Sequence, residues 1–209
     1  GRFLHYRFEE KTDPIDGKKT YARMLRFPRY HQWRAVTKIE RAVRAEGPGH
    51  NYLIQHSAGS GKTDSIAWTA HRLAQLHDDA GSKIFDGVIV VSDRQVLDGQ
   101  LQRAVEQLET TSGVFEPITR GAEASKSKQL AKALLAGRQI IGVTLQTFPH
   151  ALTEIEKNAG LAGRKYAVIA DEAHSSQTGE AAASLKQVLT AGASTGASGE
   201  EEGDEPVDV

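Results

Sequence analysis

Between residues 56 and 63 the chain reads HSAGSGKT. Gly59 and Gly61 let the backbone curl, so that the amides from Ser57 through Ala58, Gly59, Ser60, Gly61, Lys62 and Thr63 can line a nest for phosphate oxygens. A helix opening near Lys62 adds its positive end to that nest. The Lys62 amine has the reach for β- and γ-phosphates, and the Thr63 hydroxyl suits Mg²⁺. Glycine opens the strict form of this pattern; His56 stands there instead, and Gly59 supplies the flexibility. Further along, YAVIADEAH ends an apolar run on Asp171 and Glu172. Asp171 is expected to hold Mg²⁺ through water, because that ion dehydrates reluctantly. Glu172 is expected to orient or deprotonate an attacking water. Lys62, Asp171 and Glu172 are thus the expected catalytic set, with ATP and Mg²⁺ as the small molecules.

Both motifs need a strand before them, and the periodicity places one there. Residues 52–55 read as a short apolar strand, and residues 62–77 as the helix after the phosphate loop. GVIVVS at 87–92 is apolar on both faces, as buried parallel strands are. Asp93 suits the N-cap of a helix reaching residue 108. Strands are expected at 114–118, 139–145 and 166–170, and helices at 125–135, 151–158 and 180–190. Upstream, apolar positions at helical spacing mark residues 30–45, stopped by Gly47-Pro48-Gly49. Residues 3–8 alternate like a strand before a turn at 13–17, which reads as a hairpin or connector. Alternating strands and helices imply an α/β fold with a mainly parallel sheet covered on both faces.

Composition bounds the rest. With 209 residues, 39% of them apolar and 25% charged, the chain has the make-up of one globular domain with ragged ends. It has no cysteine, so disulfides and thiolate metal sites are excluded. No apolar run nears the roughly 20 residues that span a bilayer. Six acids and no base fall in the last ten residues, so 26 bases face 21 acids over residues 1–199. A mildly basic body is compatible with a phosphate backbone but does not single it out. From residue 191 the composition collapses to small residues and then acids, which reads as a disordered acidic linker.

HSAGSGKT, VVSDRQVLDGQL, GVTLQTFP and VIADEAHSSQTGE together resemble the motor of superfamily 2 helicases. They most resemble the restriction subunit of type I restriction–modification enzymes. The resemblance implies a RecA-like P-loop lobe over residues 29–190, joined by residues 1–28 to a preceding nuclease domain. It implies ATP-driven translocation on double-stranded DNA, in a cytoplasmic bacterial or archaeal complex with modification (methyltransferase) and specificity subunits and no membrane. A facing lobe would supply an arginine to the transition state, so this lobe alone is expected to bind ATP and hydrolyse it slowly. The resemblance assigns adenine recognition to Gln32 and stacking to Tyr30, within FPRYHQWRAV. The competing reading of Gln32 is a polar residue on an exposed helix face. His174 is implied in coupling to the second lobe, and Arg94, Gln100, Thr144 and Gln146 in contacts with the DNA backbone.

Overall fold

A computed structural model describes residues 5–12, 17–92, 99–108, 113–118, 126–149, 153, 157–161 and 163–171. Two antiparallel strands come first, β1 (His5–Thr12) and β2 (Lys19–Arg26), in register from His5 opposite Arg26 to Thr12 opposite Lys19. The expected hairpin is therefore formed. Helix α1 (Tyr30–Glu46) follows directly and ends where Gly47 takes a positive φ of 81°.

The main sheet has four parallel strands: β3 (Gly87–Ser92), β4 (Phe115–Pro117), β5 (Ile140–Thr144) and β6 (Tyr166–Ala170), in the order β4-β5-β3-β6. In sequence, helix α2 (Lys62–Ala74) precedes β3, α3 (Gly99–Glu106) lies between β3 and β4, and α4 (Lys126–Leu135) between β4 and β5. Side chains alternate across a strand, and the alternation in β3 and β5 builds two cores. Val88, Val90 and Ile140 pack with Ala67, Ala70 and Leu73 of α2 and Leu101 and Val105 of α3. Ile89, Val91, Ile141 and Val143 pack on the opposite face with Leu130, Ala133 and Leu134 of α4 and with Phe148. This is the α/β class the sequence implies, and the continuous apolar runs are apolar because both faces are covered.

One expected element is absent. Residues 52–55 form no strand: Leu53 is 62% exposed, and the Tyr52 hydroxyl donates to Glu46 at 2.6 Å, just past the end of α1. An apolar tetrapeptide becomes a strand only when a neighbour satisfies its backbone groups, and no such neighbour is among the described residues. β6 is the outermost strand on that side of the sheet, and its residues are mostly half-buried where β3 is fully buried. Helix α2 stops at Ala74, short of the expected residue 77, in a tight turn closed by Gln75 N–H to Arg72 O and Leu76 N–H to Leu73 O. The expected helix at 180–190, the acidic tail and most of the expected helix at 151–158 lie outside the described residues. Among the described residues no helix is long and apolar enough to cross a membrane.

Candidate functional site

Helix α2 sets where the loop sits. Its 13 residues make it about 20 Å long, matching the length of a six-residue strand. Its C-terminal end connects through the Leu76–Ile84 backbone bond to the start of β3. The helix runs back along the sheet, so its Lys62 end lies at the edge where the strands finish. Ser92, Thr144 and Ala170 end their strands at that edge, and Asp171, the residue after β6, still donates its amide to Val91 O at 2.9 Å. In open parallel sheets this is the edge outside which ligands bind.

The loop is held from outside by the start of α1. Arg29 Nη1 donates to Gly59 O at 3.4 Å, and His31 Nε2 lies 3.0 Å from Ser60 O. A carbonyl only accepts, so His31 carries its proton on Nε2. The Gln32 amide donates to both Ser60 O (3.2 Å) and Gly61 O (2.9 Å), while its own oxygen accepts from the Arg29 backbone N–H at 2.8 Å. Three successive loop carbonyls thus point at residues 29–32. Across a trans peptide the C=O and the following N–H point in opposite directions. The bonds to Ser60 O and Gly61 O therefore turn the amides of Gly61 and Lys62 away from α1, as an anion nest requires. Gly59 and Gly61 both take positive φ, 75° and 83°, and Gly61 is the N-cap of α2. Two buried hydroxyls, Ser60 Oγ and Ser65 Oγ, have no hydrogen-bond partner, nor does His56 Nε2. Ser60 and His56 belong to the loop and Ser65 to α2; buried polar groups are ordinarily paired.

Gln32 is not the exposed polar residue of the competing reading. It is 3% exposed, not on an open helix face. Both of its N–H hydrogens are committed to loop carbonyls, so reading a base would require giving one up. Its amide is a brace for the loop. Tyr30 is 71% exposed, its ring centroid 6.2 Å from that of Trp33. Arg26, Phe27, Arg29, Gln32, Gly61 and Asp64 line a cleft of about 260 Å³ beside the loop.

The remaining expected residues divide. Thr144 does not fit a DNA contact: it is 2% exposed, and its hydroxyl lies 2.9 Å from that of Thr147, also 2% exposed, to which Lys126 Nζ donates at 3.3 Å. A side chain so covered has no surface to offer a phosphate backbone. Gln146, between them, is exposed. Gln100 sits in the first turn of α3. Arg94, Glu172 and His174 lie outside the described residues. Sequence reasoning missed His31, Arg26 and Asp64. Only Asp64 left a signal, as an acid in the first turn directly after the Gly-Lys-Thr.

The SWI2/SNF2 ATPase family model matches residues 31–200. The chain belongs to the SWI2/SNF2 ATPase family. Searches of curated proteins and of solved structures gave no match. Membership in the SWI2/SNF2 ATPase family makes the parallel-sheet unit a helicase-like ATPase lobe of the RecA type. The matched span runs from His31, inside the brace, through the loop and beyond Asp171.

His56 gives the loop a pH dependence. Its ring meets that of His31 edge-on, centroids 5.1 Å apart. Burial first, then the nearby His31 and Lys62, push its pKa below the ordinary histidine value of 6.5. The folded protein therefore keeps His56 neutral where the unfolded chain begins to take up a proton. The stability it contributes is complete above 6.5 and is lost as the pH falls below it. Between about pH 7.5 and about pH 5.5 the urea midpoint should fall more in the native chain than in a His56→Gln variant. Equal falls would remove His56 as the cause.

Proposed function

We propose that this chain is the ATP–Mg²⁺-binding motor lobe of a double-stranded DNA translocase, within the restriction subunit of a type I restriction–modification enzyme. The observation that carries the ATP reading is the bracing of the loop. Residues 29–32 hold consecutive carbonyls on one side, and the amides needed for a triphosphate are turned to the other. The oxygen donors Thr63 and Asp171 fit a hard divalent cation. Held by them, Mg²⁺ would supply charge neutralisation to the phosphates. Lys62 binds the same phosphates, and Glu172 holds and deprotonates the attacking water. The motor reading rests on family membership, and the double-stranded DNA and type I readings on the resemblance of the DRQVLDGQL and DEAHSSQ segments.

Family membership also favours a second reading at the finest level, a remodelling ATPase built on the same motor. Partner subunits separate the two. ATP turnover of the complete protein should rise at least about tenfold with duplex DNA when modification and specificity subunits are added, and little with single strands. Duplex-stimulated turnover that ignores those subunits would favour the remodelling reading. Stimulation by single strands or RNA alone would remove the duplex translocase. Glu172→Gln in the same assay should keep ATP binding and stop turnover.

A further inference from the structure

The ion pair between Arg26 and Asp64 lies beside the loop and serves none of the roles assigned above. Arg26 Nη1 donates to Asp64 Oδ2 at 2.7 Å, and both side chains are about a third exposed or less. Arg26 is the last residue of β2, while Asp64 lies in the first turn of α2, the helix whose N-terminus faces the loop. A Cβ built on Gly61 would lie 3.7 Å from Asp64 Oδ2, so this carboxylate is next to the loop's own backbone. Both residues line the 260 Å³ cleft. A carboxylate in a helix's first turn is favourable for the helix. Next to a site for a polyanion it is unfavourable, because like charges a few ångströms apart repel, and more strongly beside protein than in bulk water.

We infer that Arg26 is a positioning residue for the nucleotide: it neutralises Asp64, and so lets a loop with a built-in acid accept a triphosphate. The inference rests on the proposed ATP site. The counter-charge comes from the hairpin and not from the sheet, so the grip on the nucleotide depends on β2 staying docked. Arg29, also lining the cleft, and Lys62 keep the site positive without it. Losing Arg26 therefore weakens binding several-fold and does not abolish it.

Two variants break this bridge with opposite electrostatic signs. Arg26→Gln leaves the acid bare; Asp64→Asn leaves the base bare. Competition of ATP, ADP and AMP against a fluorescent ATP analogue, on the whole chain, separates them. Arg26→Gln should weaken ATP by about three- to tenfold, AMP by less, and the difference should shrink at high salt. Asp64→Asn should bind ATP as tightly as the native chain or more tightly. The double variant should return to within about twofold of native. If Arg26→Gln fails to fold, Arg26→Lys, which keeps the charge, should keep the affinity. Equal weakening by both single variants, or equal weakening of ATP and AMP, overturns the inference and makes the bridge a structural strut. An unaffected Arg26→Gln overturns it too, and leaves the ATP site standing if Lys62→Ala still loses binding. Binding that Lys62→Ala leaves unchanged removes the ATP site and this inference together.

Discussion

Replacing Lys62 by alanine should lower ATP affinity by about a hundredfold while leaving the fold intact. Hydrogen bonds to charged groups contribute about 1.5–3 kcal/mol each, and 1.4 kcal/mol is a factor of ten. Lys62 opens α2 at the positive end of the helix, on the sheet edge where Asp171 follows the end of β6. A lysine there adds a second cation to the field of the helix terminus, and its ammonium offers three donors to phosphate oxygens. Alanine is the best helix former and fits this first helical position. The core that fixes α2 begins further along, at Ala67, Ala70 and Leu73. The urea midpoint should therefore move little while the titration with a fluorescent ATP analogue flattens. ATP should lose more than AMP, because the contact is to the outer phosphates. Native affinity in Lys62→Ala would mean that the HSAGSGKT loop is not where the nucleotide binds.

The sheet was largely legible because its strands declare themselves locally. GVIVV and IIGV run apolar on both faces, and only burial on both faces accounts for that. The segment at 52–55 reads just as apolar, yet whether it is a strand depends on a partner elsewhere in the chain, which its own residues do not encode. The loop was legible for the opposite reason: glycines at 59 and 61 are demanded by backbone angles that few other residues adopt. What surrounds the loop was not. Gln32 reads as a base reader by resemblance and as a surface amide by helical periodicity. Its real partners, two carbonyls 28 and 29 residues away, carry no side-chain signature. The same holds for Arg26 and Asp64, separated by 38 positions. Thr144 was assigned to DNA by its place after a strand, but a hydroxyl at a strand's end faces inward or outward according to the turn that follows. Here Leu145, Gln146 and Thr147 fold it inward onto Thr147.

The brace makes its own prediction, through two glycines that share a backbone conformation and differ in surroundings. Gly59 and Gly61 have φ of 75° and 83°. An alanine at either must adopt the left-handed region, at a cost of about 1–2 kcal/mol. At Gly59 nothing lies within 4 Å of the added Cβ, so the backbone term is the whole cost. At Gly61 the added Cβ would lie 2.5 Å from Gln32 Nε2, a separation real atoms do not tolerate. Gln32 is buried and bonded at both ends of its amide, so moving aside breaks its bonds to Ser60 O and Gly61 O. Two lost bonds of about 0.5–1.5 kcal/mol each then add to the backbone term. Gly61→Ala should accordingly weaken ATP binding about a hundredfold, and Gly59→Ala nearer tenfold. Combining Gly61→Ala with Gln32→Ala relieves the collision without restoring the bonds, so the pair should cost less than the two single losses summed. If both glycine variants lose the same affinity, Gln32 does not hold the loop, and the argument that orients the Gly61 and Lys62 amides toward phosphate loses its support.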